Sequence, residues 1–169
     1  MARYLVDPDR SRLWAEARSN VHPIRIEVTG VAGTIEVRAV DGTLELSQAP
    51  RARLEIPSDK VKSGIDLYDD EIARRMEVRK YARIRGEVVE VRPDGSRRYR
   101  VRGKLSLHGV TREIEGSVEI DMPDERTLEI RGEHEIDMRD FDLDPPKIMM
   151  LEVKPEIQLR GHIFAVKEA

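Results

Sequence analysis

Residues Tyr99–Met122 read YRVRGKLSLHGVTREIEGSVEIDM. Tyr99, Val101, Leu105 and Leu107 share one face, while Arg98, Arg100, Arg102, Lys104 and Ser106 share the other. After His108-Gly109-Val110 the alternation resumes with Ile114, Val118, Ile120 and Met122. A period of two predicts strands with one buried face, so this stretch is two long strands joined by a tight turn. A helix would scatter the same apolar residues around its circumference. Gly103 and Gly116 fall on the apolar face itself, where glycine marks a sharp bend or a close backbone approach.

The pattern continues on both sides. Before it, Arg3–Val6, Leu13/Ala15/Ala17, Ile24/Ile26/Val28, Ile35/Val37/Ala39, Leu44/Leu46, Ala52/Leu54/Ile56 and Ile84–Val91 read as strands. Turn signals at Asp7-Pro8, Gly30–Gly33, Asp41-Gly42 and Pro93-Asp94-Gly95 separate them. After it, Leu128, Ile130, Gly132, His134, Ile136 and Met138 share a face, and Met138–Pro146 reads as a loop rich in Asp and Pro. Met149, Leu151, Val153, Ile157, Leu159, Gly161 and Ile163 alternate through a last long strand, in which Pro155 implies an edge or a bulge.

One helix interrupts the strands, over about Ile65–Val78. Ile65, Tyr68, Ile72 and Met76 recur at helical spacing, with Asp69, Asp70 and Glu71 early and Arg74, Arg75 and Arg79 late, as the helix dipole favours. Its single apolar stripe must lie on a sheet or cover an opening. No linker divides the chain, so residues 1–169 are expected to form a single domain. The reading is all-β: an antiparallel barrel of about eight strands with one covering helix, since closure removes exposed edges. A two-sheet sandwich is the alternative.

Composition excludes several function classes. The 30 basic and 33 acidic residues leave a net charge of −3, which argues against a nucleic-acid partner. The absence of cysteine rules out disulfides and thiolate chemistry. No histidine pair has metal-ligand spacing and no phosphate or dinucleotide fingerprint occurs, so neither metal nor cofactor is expected. The apolar run Tyr4-Leu5-Val6 stops at Asp7, too short for a signal-peptide core, and nothing approaches a membrane span. The expected location is cytoplasmic, or periplasmic or secreted if a leader has been removed.

Leu105-Ser106-Leu107-His108-Gly109-Val110-Thr111 resembles the L-T-x-H-G-V-T hairpin of the YceI-like family. Tyr4–Ser11 (YLVDPDRS) resembles that family's opening Y-x-x-D-x-x-H-S. Gly30–Gly33 with Thr34-Ile35, Asp70–Tyr81 and Met138–Phe141 resemble its early glycine hairpin, its helical segment and its late R-x-D-F-G segment. The resemblance runs nearly end to end. It departs where Met76-Glu77-Val78 replaces paired phenylalanines, where Ala82 replaces a proline, and at Arg10. It implies an elongated, lipocalin-like barrel with a helical cover, enclosing an apolar tunnel for isoprenoid quinones, polyprenyl chains or other amphiphilic lipids.

The tunnel that the resemblance implies would be lined by the inward strand positions Leu13, Ala15, Ala17, Val28, Ile35, Val101, Leu105, Leu107, Ile114, Val118, Ile120, Ile130, Met149, Leu151, Val153 and Ile157, with Ile72 and Met76 of the helix. His134, alone on an apolar face, and Arg139, in a loop at a barrel rim, are the candidates for a polar head group. His108 reads as structural. Ser106 beside it lacks an orienting third group, so no catalytic residue is assigned. Each buried CH₂ contributes about 0.8 kcal/mol, so a five-carbon isoprene unit offers about 4 kcal/mol before association costs. The expected function is binding, with transport or sequestration, of a long-chain lipid or isoprenoid ligand. Two rivals stand: an enzyme using His134 as acid or base, and a barrel filled by its own side chains that acts through its surface. A homodimer is left open.

Overall fold

At the centre of the decisive hairpin, Leu107 pairs with Val110 across the two residues His108 (φ 54°) and Gly109 (φ 73°). Both are left-handed, as a turn that preserves strand twist requires. A side chain at Gly109 would strike the Tyr81 ring at 2.6 Å, so glycine is also set by that packing.

A computed structural model of the chain describes residues 1–169. The strands are β1 (Ala2–Val6), β2 (Arg12–Ser19), β3 (Ile24–Val28), β4 (Ala32–Val40), β5 (Thr43–Glu45), β6 (Arg51–Pro57) and β7 (Val61–Lys62). Helix α1 (Asp66–Met76) follows, then β8 (Arg83–Pro93), β9 (Arg98–Leu107), β10 (Val110–Asp124), β11 (Thr127–Asp137), β12 (Lys147–Ile148) and β13 (Leu151–Lys167). Short 3₁₀ turns occupy Ser58–Lys60 and Met138–Phe141.

The strands close into an eight-position antiparallel barrel in simple chain order. Three positions are built from two strands each. β1 and β2 lie end to end along β13, β4 and β3 lie along them in turn, and β6 and β7 follow. From there β8, β9, β10, β11 and β13 complete the circuit. Between β1 and β2 the chain leaves the ladder at Asp7-Pro8. Ser11, fully buried, restores the lost pairing: its hydroxyl accepts from Phe164 N–H at 3.1 Å and donates to Phe164 C=O at 3.3 Å. Pro155 sits at a bulge, where the β13–β2 register shifts between Val153 and Ile157.

Helix α1 is slightly shorter than the expected Ile65–Val78. Glu77 ends it in the left-handed region (φ 49°), a place usually taken by glycine. The Glu77 carboxylate meets His108 Nε2 at 2.6 Å, and His108 Nδ1 lies 3.0 Å from Phe141 C=O. The histidine of the hairpin thus ties the end of α1 and the Met138–Phe141 turn to the same barrel end. Glu71 binds both Arg74 and Arg75 at 2.7 Å, tying the first half of the helix to its last turn.

Two apolar clusters sit at opposite ends. One joins Tyr4, Val6, Val28, Val31, Ile35, Val37, Ile56, Leu128, Ile163 and Ala165. The other joins Met76, Ile136, Met138, Phe141 and Leu143 under the helix. The segment expected as a solvated loop is therefore a plug. Phe141 is 1% exposed because the 3₁₀ turn, started by Asp137 accepting from Arg139 N–H at 2.9 Å, rotates Met138 and Phe141 inward.

Candidate functional site

Between the two clusters the barrel is hollow. A partly open cavity of about 460 Å³ runs beneath α1, and 28 of the 42 residues along it are hydrophobic. That volume lies within the range of small-molecule sites. The barrel is neither filled throughout nor hollow throughout, so the fully filled reading is corrected.

Small inward residues make the room. Ala15, Ala17, Ala52, Gly86, Gly103, Gly116, Gly132 and Gly161 all border the cavity. Each glycine faces a larger side chain on the next strand: Gly86 opposes Leu105, Gly103 opposes Val88 and Ile114, and Gly116 opposes Val101. A Cβ on Gly103 would lie 2.7 Å from Glu87 C=O, so there the backbones themselves approach closely. A Cβ on Gly86 would meet nothing within 4 Å.

Thirteen of the expected apolar positions border the cavity: Leu13, Ala15, Ala17, Val28, Ile72, Met76, Val101, Leu105, Leu107, Ile114, Val118 and, on β13, Val153 and Ile157. Others do not. Ile35 is buried in the solid cluster, and Ile120 and Ile130 pack against it, because their strands continue past the hollow into the filled end. Leu151 is buried outside the wall, where its strand pairs with Ile148, and Met149 is 84% exposed at the tip of that hairpin. Ile24, Ile26, Leu54, Ile84 and Leu159 also belong to the wall. Their alternation carried the signal, but it does not say how far along a strand the hollow extends.

Polar groups are few inside. Glu87, Lys104, Glu133 and Arg160 border the cavity but are exposed, on the outer face that alternation assigns them. His134 lies on the inner face, with Nδ1 3.3 Å from where a Gly116 Cβ would stand. It has no hydrogen bond to the protein, and an imidazole in apolar surroundings needs one. Arg139 does not join it. Its guanidinium turns to Asp137, with Nη2–Oδ2 at 2.6 Å, outside the wall, and holds that carboxyl below its usual range. Arg83 is likewise spent on Glu55. Ser106 bonds Thr111 at 2.7 Å, and His162 bonds Glu129 on the outside.

The covered end is held at both sides. Besides the His108 tie, Asp69 accepts from Ser63 N–H at 2.6 Å, Ser63 Oγ at 2.7 Å and Gly64 N–H at 3.2 Å. Burial pushes the Asp69 carboxyl up, but these donors outweigh it and leave it below its usual range. Tyr68 Oη reaches His22 Nε2 at 3.3 Å, joining α1 to the β2–β3 turn. Tyr68, Ile72, Arg75 and Met76 are the helix's contribution to the wall.

The YceI-like domain model matches residues 4–165. The chain belongs to the YceI-like family. Among solved structures, this YceI-like barrel is similar to BcnA of Burkholderia cenocepacia, with a TM-score of 0.79, 19% identity and coverage of 94% of this chain and 98% of that one. It matches a polyisoprenoid binding domain from Saccharophagus degradans at 0.79, with 16% identity over 99% and 100% of the two chains. A Campylobacter jejuni YceI protein matches at 0.70, with 14% identity over 86% of each. No curated protein sequence matches this YceI-like chain.

Proposed function

We propose that this YceI-like protein binds a long-chain amphiphile, such as an isoprenoid quinone, polyprenyl compound or fatty-acid derivative, and carries or sequesters it. The observation that carries this reading is the hollow between the two clusters, lined by aliphatic side chains and widened by inward glycines. The similarity to a domain described as polyisoprenoid binding supports it. Burial of hydrocarbon supplies the affinity, and His134 offers the one polar contact deep in the wall. Binding is favoured over turnover, because no carboxylate or carbonyl orients the His134 ring as a general base requires.

Native mass spectrometry of the protein mixed with farnesol, and separately with a short-tailed ubiquinone, tests this. The expected result is a retained 1:1 adduct with each. Replacing His134 with Leu should weaken binding of each about three- to tenfold, the worth of one neutral hydrogen bond, and leave the 1:1 adducts detectable. A bare mass with both probes would overturn the reading.

A further inference from the structure

Five of the chain's exposed large apolar residues gather at the covered end: Val21, Ile65, Leu67, Met149 and Met150. They come from three separate tips, the β2–β3 turn, the start of α1 and the β12–β13 turn. The tips are fastened together. Asn20 donates from Nδ2 to Met150 C=O at 3.0 Å and accepts from Glu152 N–H at 2.7 Å, and His22 meets Tyr68. In a chain that is 37% charged, Asn20–Pro23, Gly64–Tyr68 and Lys147–Met150 hold only Asp66 and Lys147 as charged residues.

The β12–β13 turn breaks its own local rule. Ile148 pairs with Leu151, so Met149 and Met150 are the two tip residues, 84% and 85% exposed, and Met149 is left-handed at φ 55°. Such tips take Asn, Asp or Gly. A position that contradicts both turn chemistry and solvation points to use. The patch also adjoins the cavity wall along the chain: Leu67 precedes wall residue Tyr68, and Met149 follows wall residue Ile148.

We infer that this rim is a bilayer-docking surface through which the tunnel exchanges its ligand with a membrane. The inference rests on the lipid-tunnel reading. A ligand insoluble in water then passes from lipid to cavity past the apolar rim. Three tips of unbranched or aliphatic side chains suit a fluid hydrocarbon boundary, which asks for no shaped partner, and methionine adapts readily. The rim carries no cluster of basic residues, and Lys147 is paired with Glu152 at 3.4 Å, so docking is driven by apolar insertion.

Flotation with phosphatidylcholine vesicles tests it, beside vesicles containing phosphatidylglycerol. The intact protein should float with both, with little change between 0.05 and 0.5 M salt. The variant Met149→Asn/Met150→Gly restores ordinary turn residues and should lower the bound fraction at least about tenfold. It should still retain farnesol in the native mass measurement, because neither residue borders the cavity. The control Val40→Ser/Val89→Ser, exposed apolar positions outside the rim, should float like the intact protein. Failure of the intact protein to float while it still binds farnesol would overturn docking and leave the tunnel reading standing. Flotation only with the anionic vesicles, abolished by salt, would also overturn it. So would a concentration-dependent dimer that the Met149→Asn/Met150→Gly change converts to monomer, since the rim would then be a self-interface.

Discussion

The two ends of this barrel are made from the same strands, yet one is packed and the other hollow. At the packed end, inward positions carry Tyr4, Val37, Tyr99 and Leu128, each at most 5% exposed. At the hollow end the same strand faces carry Gly86, Gly103, Gly116, Gly132 and Gly161 with Ala15, Ala17 and Ala52. Hydrophobicity alone does not separate the two ends. Side-chain volume does, because an eight-strand barrel has an interior that side chains can only just fill. Remove the volume at successive inward positions and a cavity follows.

That contrast breaks most visibly in stability. Leu128→Ala removes atoms that are packed on every side and should cost about 2–5 kcal/mol. Ile114→Ala borders space that is already empty and should cost clearly less, since the cavity term is largely present beforehand. Urea denaturation of both variants measures the difference. Equal costs would mean that the hollow is not there in solution.

The glycines sharpen the same comparison. Gly86→Phe projects into open space, so it should fold normally and fill the tunnel, weakening farnesol binding at least about tenfold by displacing buried hydrocarbon. Gly103→Ala adds far less volume but drives a methyl group to within 2.7 Å of Glu87 C=O. It should destabilise by about 1–3 kcal/mol while leaving the cavity open. Thermal melts beside binding titrations read both outcomes. A destabilised Gly86→Phe that still binds would place the hollow elsewhere.

Most of this architecture is legible in the sequence, for a physical reason. Alternation in Tyr99–Met122 fixes which face turns inward, and His108-Gly109 fixes the turn, because both are local consequences of backbone geometry. The inward glycines at 103, 116, 132 and 161 were the visible sign of strongly bent strands. What alternation cannot supply is position along the barrel axis. Ile120 and Ile130 look identical to Ile114 and Val118 until strand register places them against Leu128 and Ile163. Arg139 misled differently: its loop is acidic, and Asp137 two residues away claims the guanidinium before any ligand can. Met138, Phe141 and Leu143 were hidden because short 3₁₀ turns have no long period to detect.

The smallest expected effect concerns how α1 is held over the hollow end. Asp69 fastens the approach to α1 through Ser63 and Gly64, and its carboxyl lies below its usual range in the folded protein. A carboxylate depressed on folding contributes stability above its unfolded value, and that contribution is lost as pH falls through the lower folded value. The Arg74 and Arg75 guanidiniums depress Glu71 on the same helix in the same direction. Acid below about pH 4 should therefore loosen the hold on α1. Farnesol dissociation, followed by stopped flow, should speed up a fewfold between pH 6 and pH 3.5. Asp69→Asn should dissociate faster at pH 6 and lose part of the pH dependence, leaving the share due to Glu71. An Asp69→Asn variant with unchanged dissociation and an unchanged pH profile would show that ligand leaves by a route the helix does not guard.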